Sequence, residues 1–245
     1  MPMARRLHIG ASKVHKWLSL IIGVQLLLWF ASGALMSFLP IEKVRGEQII
    51  ARDRVEAIPA GLPLIAPDRI VVNADGPVES MTWRMLDGNA VAEVTTPKGL
   101  TLFHAETGRM LPPVDKALAT RIAQNAWKTG PFAVSKAARV TRESPEYRGA
   151  LPAWRVEFND PDQTSIFVAA ENGRITAVRT GTWRLYDFFW SLHIMDWKNH
   201  EDFNTPWLLG FAIGGLMFGL AGTILLFMRW PIRRRRKSLS ATQRQ

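Results

Sequence analysis

A chain of 245 residues that is 47% hydrophobic and carries a formal charge of +10 is long enough for one or two ordinary soluble domains, or for a small membrane protein. The charge sits at the ends: residues 1–16 hold four basic and no acidic residues, residues 229–245 hold seven basic and none acidic, and the remainder holds 20 basic against 21 acidic. Nucleic-acid binders spread Lys and Arg over a folded face, so a nearly neutral middle argues against that class, and the absence of cysteine removes thiol nucleophiles and iron–sulfur clusters while leaving the redox character of the compartment unread.

In chain order, the basic tail 1–16 leads into the apolar run 17–39, which contains no charge. At about 1.5 Å per residue such a run covers roughly 33 Å, enough for a bilayer core of about 30 Å. It predicts a first transmembrane helix, with Ser12 as N-cap and Pro40 marking its end. Arg5, Arg6 and the FASGA stretch also fit a cleaved signal peptide, but the run is longer than the usual signal core of roughly 7 to 15 residues, so retention is expected.

The segment 40–182 reads as duplicated. TLFHAETGRM around Gly108 and SIFVAAENGRI around Gly173 each join an apolar strand to a Glu-x-Gly-Arg turn, and each follows a Trp-Arg pair, Trp83-Arg84 and Trp154-Arg155. Residues 40–112 form a first, degenerate unit with strands near 81–85, 91–95 and 100–104 and no evident helix. Residues 113–182 form the clearer second unit. Asp115 caps KALATRIAQNAW, Trp154, Val156 and Phe158 alternate with Arg155 and Glu157, and Asn172-Gly173 signals a hairpin.

Residues 183–205 crowd Trp, Phe and Tyr with His193 and His200, as an aromatic segment at a lipid surface would. Thr205 and Pro206 make an N-cap and N1 pair for a second transmembrane helix, 206–228, closed by Trp230 and Pro231 before the basic tail 229–245. Basic residues flanking both runs place both tails in the cytoplasm and the middle outside. Gly210 with Gly214, and Gly215 with Gly219, allow close helix approach, either to the first helix through Ser19 and Gly23 or to a second copy, and Gln25 needs a polar partner.

Taken together, PAWRVEF, IFVAAENGRI and WRLYDFFWSLHIMD leading into a Gly-rich helix, with VHKWLSLIIGV at the first helix, resemble the PepSY-associated transmembrane family, whose helix opening is His-Arg/Lys-Trp-Leu. The resemblance implies an α+β membrane protein. Two transmembrane helices would flank an extracytoplasmic PepSY-like α+β domain of two tandem units, in the inner membrane of a bacterium with the domain periplasmic. Larger members have four or more membrane helices and are associated with siderophore iron reduction and haem binding, so the implied role is that of an accessory in iron and siderophore uptake with haem b, the alternative being a non-redox periplasmic binding or regulatory module anchored by the two helices.

No HExxH, GxSxG, Walker A or GxGxxG pattern is present, and no catalytic residue is assigned. The histidines are the candidates for a cofactor site. His8 lies in the basic tail and His104 ends a strand, which leaves His15, His193 and His200. His15 and His193 are expected about one bilayer thickness apart, roughly 30 Å, and so cannot share one iron within a chain. If residues 183–199 are helical, His193, Asp196 and His200 at i, i+3 and i+7 share one face, with the outer pair about 10.5 Å apart, too far for one ion without a bend. The competing reading is an interfacial helix with His and Asp turned to water. Expected partners are the membrane, a second copy or a larger membrane protein through the Gly-rich helix, and a periplasmic protein or ferric siderophore, but no nucleic acid.

Overall fold

The computed structural model describes residues 2–52, 54–130 and 132–229, with side chains from Lys16 onward except those of residues 18, 221, 222 and 224–229. The chain divides into two compact units: residues 1–38 with 189–245, and residues 39–188.

In the first unit, helix α1 (Pro2–Phe38) starts well before the expected Ser12 cap, because Ala, Arg, Leu and Lys between residues 4 and 16 favour helix and nothing there stops it. It ends ahead of Pro40, as expected. Within it, Ser19–Phe38 is long and apolar enough to cross a membrane. Large side chains on that stretch, Leu20, Ile21, Val24, Leu27 and Phe30, stay exposed, which is costly in water and natural in lipid. The last helix of the chain, α6 (Pro206–Arg229), is capped as anticipated: Leu208 N donates to Thr205 Oγ1 at 3.2 Å, and Pro206 occupies the first turn, where a missing N–H costs nothing. Its described apolar part, Pro206–Leu220, is a shorter stretch.

α1 and α6 pack through Gly214 and Gly215, where an added Cβ would stand 3.3 Å from Ile22 Cδ1 and 3.8 Å from Leu26 Cδ2. The α1 side of this contact is therefore formed by branched apolar chains, whereas the expected Gly23 meets nothing within 4 Å. Gly210 and Gly219 also meet nothing within 4 Å.

The second unit opens with two short helices, α2 (Ile41–Val44) and α3 (Pro67–Val71). A three-stranded antiparallel sheet follows, β1 (Ser80–Leu86), β2 (Asn89–Thr96) and β3 (Gly99–His104), ordered β1-β2-β3. Helix α4 (Lys116–Asn125) begins at Asp115, whose Oδ1 accepts from Leu118 N at 2.8 Å. A four-stranded antiparallel sheet comes next, β4 (Val134–Val140), β5 (Ala153–Phe158), β6 (Ser165–Ala169) and β7 (Ile175–Arg179), again in sequence order. Helix α5 (Gly181–Ile194) completes the set.

Strand alternation sorts the side chains into layers. Val156, Phe158, Ile166, Val168 and Val178 pack under α4 through Ala119 and Ala123, and the opposite face of the same sheet buries Tyr147 stacked on Phe167. In the three-stranded sheet, Ala92, Val94 and Phe103 cover Ile70 of α3, while Leu86, Val91 and Leu102 meet Ile122 of α4. Arg84 of β1 and Arg174 share Glu93, at 2.9 and 3.2 Å, and this ties the two sheets together.

The two Glu-x-Gly-Arg turns have the same hydrogen bonds. His104 N donates to Arg109 O and Gly108 N to His104 O; Ala169 N donates to Arg174 O and Gly173 N to Ala169 O. Both glycines are left-handed, at φ +67° and +73°. At Gly173 a Cβ would stand 2.8 Å from Leu86 Cδ1 and 3.0 Å from Ile122 Cδ1, where the sheets meet. Gly173→Ala is expected to lower stability by about 1–2 kcal/mol from the backbone alone, with overpacking added. Gly108→Ala, opposed only by Ile65 Cδ1 at 3.0 Å, should cost less. Denaturant unfolding of the two variants side by side checks the order.

Candidate ligand site at the end of helix α5

Helix α5 does not run to Asn199. It stops at Ile194 because Met195 takes a left-handed φ of +54° and the next residue, Asp196, gathers the following backbone. Its Oδ1 accepts from Lys198 N and Asn199 N at 3.2 and 3.0 Å, and its Oδ2 accepts from Glu201 N and Asp202 N, both at 3.0 Å. Four amide donors around one buried carboxylate favour its charged form and hold its pKa well below the usual carboxylate range. The loop is completed by Trp190, whose indole N–H donates to His200 O at 3.0 Å and whose ring meets Phe203 edge-on at 5.5 Å. His200 sits in this loop at φ +61°.

The expected helical face of His193, Asp196 and His200 is therefore not formed. Asp196 is buried and committed to backbone amides, so it is neither a metal ligand nor turned to water. Among the described residues, no three His, Asp or Glu side chains are grouped to hold a metal ion. His104 Nδ1 accepts from Glu106 N at 3.3 Å and serves its turn. The side chains of His8 and His15 lie outside the described residues, as do Trp230, Pro231 and the basic run that follows.

His193, on the last turn of α5, is half-buried and engages the first helix. Its Nδ1 lies 2.9 Å from Ser32 Oγ. Ser32 is fully buried and already donates to the carbonyl of Leu28 at 2.8 Å, with Trp29 O at 3.1 Å. A serine hydroxyl has one proton, so with that proton on the helix carbonyl the contact runs from His193 Nδ1–H to Ser32 Oγ. In the neutral ring this assignment leaves Nε2 unprotonated, the tautomer a metal ligand requires. Gly33 lies beside the ring: a Cβ there would be 3.5 Å from His193 Cε1, an ordinary contact. The Trp29 ring stands 6.3 Å away, tilted by 41°.

Further along the same side of α1, the Trp29 Nε1 and Gln25 Nε2 donors are buried with no acceptor among the described residues. Ser32 lies seventeen residues after His15 on one continuous helix, about 26 Å along its axis, so His15 stands far from the His193 position. The sequence marks His193 but not its partner. Ser32-Gly33, a small polar pair inside an apolar run, is the one local signal of a contact.

Above about pH 4, the ordinary Asp value, Asp196 is charged in folded and unfolded chains alike and its capping contributes fully; because the folded value is lower, that contribution fades only as pH falls below about 4. Asp196→Ala should speed amide exchange at Lys198, Asn199, Glu201 and Asp202 by about tenfold or more at pH 7, read by hydrogen–deuterium exchange.

A family model described as the PepSY-associated TM region matches residues 12–245. No curated protein and no solved structure matches.

Proposed function

The chain belongs to the PepSY-associated transmembrane family, and from that premise we propose that it is a membrane-anchored accessory of iron and siderophore uptake in which His193 is an axial ligand of haem b. The reading rests on one observation, the hydrogen bond between His193 Nδ1 and Ser32 Oγ, which fixes the ring and leaves Nε2 for a ligand. The residues fit one ligand position: the imidazole of His193, a buried hydroxyl that orients it, and the indole of Trp29 beside it. Haem bound there would supply one-electron transfer, and the chain's part is to hold the imidazole tautomer and keep the surroundings apolar. The second axial ligand is proposed to come from His193 of a second copy, from His200, or from a partner protein.

The anchoring proposed is two transmembrane helices, α1 and α6, with both termini cytoplasmic and residues 39–188 in the periplasm as two tandem PepSY-like units. Eleven basic and no acidic residues in the two tails support the orientation. The matching hydrogen bonds of the Gly108 and Gly173 turns support the duplication. The small-residue spacings Gly210 with Gly214 and Gly215 with Gly219 support a second copy or larger partner against α6.

Protein purified from haem-replete cells should show a Soret band; His193→Ala should remove it, Ser32→Ala should weaken or shift it, and His8→Ala should leave it in place. A colourless wild type, even when haem is supplied and genomic neighbours are co-expressed, sinks the haem reading and leaves a binding module held by membrane helices.

Reporter fusions after Gln245 should report cytoplasm and fusions near Gly130 the periplasmic side. The opposite pattern overturns the orientation.

A further inference from the structure

The three-stranded sheet has an open edge. Ala105 N donates to Ala90 O, so residues 90, 92 and 94 of β2 bond to β3 and residues 89, 91, 93 and 95 bond to β1. By the register, residues 80, 82, 84 and 86 of β1 face β2, and the backbone groups of Met81, Trp83 and Met85 point away from the sheet. Their N–H groups have no acceptor among the described residues, and of their carbonyls only Met85 O is engaged, by Arg84 Nη1 at 3.3 Å. Natural edges are commonly blunted by Pro, Lys or a bulge. SMTWRML has neither residue, and its pairing with β2 runs without a shift.

That edge lines a groove of about 550 Å³ whose other walls are residues 173–176, at the start of β7, and the extended segment around Arg52 to Glu56. β7 is also an edge strand, but it is covered: Arg52 Nε and Nη2 donate to Ile175 O and Thr176 O at 3.1 and 2.8 Å. Among the described residues that line the groove, Arg52, Arg54, Arg84 and Arg174 stand against Glu56 and Asp87; Arg84 and Arg174 share Glu93, and Arg121 takes Asp87 at 2.9 Å.

We propose that this groove binds an extended, acidic segment of a partner protein, which adds to β1 as a fourth strand. Its backbone would pair with Met81, Trp83 and Met85, and its carboxylates would meet Arg52 and Arg54. Strand addition takes affinity from main-chain hydrogen bonds and selectivity from side chains along the groove, and here the selectivity is for negative charge. The site belongs wholly to residues 39–188 and does not depend on haem.

The test uses the full chain in detergent and a fluorescein-labelled seven-residue peptide of alternating Glu and Thr, followed by anisotropy, with the matching Lys-Thr peptide as control. The Glu-Thr peptide should bind and the Lys-Thr peptide should not. Arg54→Glu should weaken binding at least about tenfold, the scale of a lost charge-assisted contact. Met85→Pro removes one outward N–H, which an edge strand tolerates, and should abolish binding. Should that variant not fold, slowed amide exchange at Trp83 and Met85 in the wild type on adding the Glu-Thr peptide reads the same contact. Equal binding of both peptides, or unchanged exchange at Trp83 and Met85 when the peptide is bound, overturns the proposal. A concentration-dependent dimer lost in Met85→Pro overturns it as well, since a second copy then occupies the edge.

Discussion

A single carboxylate governs how the chain passes from its α+β unit into its last helix. Asp196 collects four backbone amides within seven residues, donors that lie outside any helix or strand. Because the charge is met by four backbone donors, burying it there is tolerable. The consequence reaches backward to His193, one turn earlier, and forward to Thr205, which starts α6.

The polar contacts of the first helix follow from the same accounting. Ser32 offers one proton and two lone pairs, and the helix carbonyl and the imidazole use them. In an apolar setting such a contact has few competitors, so one hydroxyl can hold the ring of His193 in place. Trp29 and Gln25 present buried donors on the same helix without acceptors among the described residues, which marks this stretch of α1 as the polar seam of an otherwise apolar element.

Periodic features were legible in the sequence and long-range ones were not. Alternation located β1 to β3 and β5, the Asn172-Gly173 pair located the turn before β7, Asp115 announced α4, and Thr205-Pro206 announced α6. β4 escaped because VSKAARV lies at a sheet edge, where small and charged residues alternate weakly. α3, at five residues, is too short for a helical period to appear. The end of α5 could not be read, since an aspartate that gathers amides leaves the same composition as one facing water. His193 stood out by its type and place; Ser32, 161 residues away, could be found only once the chain was folded.

Both sheets are meanders in which every strand pairs with its neighbour in sequence. Pairings of this kind close short loops at low entropic cost, and they form quickly. The contact between Ile22 and Gly214, by contrast, joins residues 192 apart in sequence. On a ribosome adding about 5–20 residues per second, each hairpin has its partner available within seconds of emerging, while α6 does not yet exist. Assembly thus has a built-in order: the sheets can settle first, and helix pairing waits until α6 has been made.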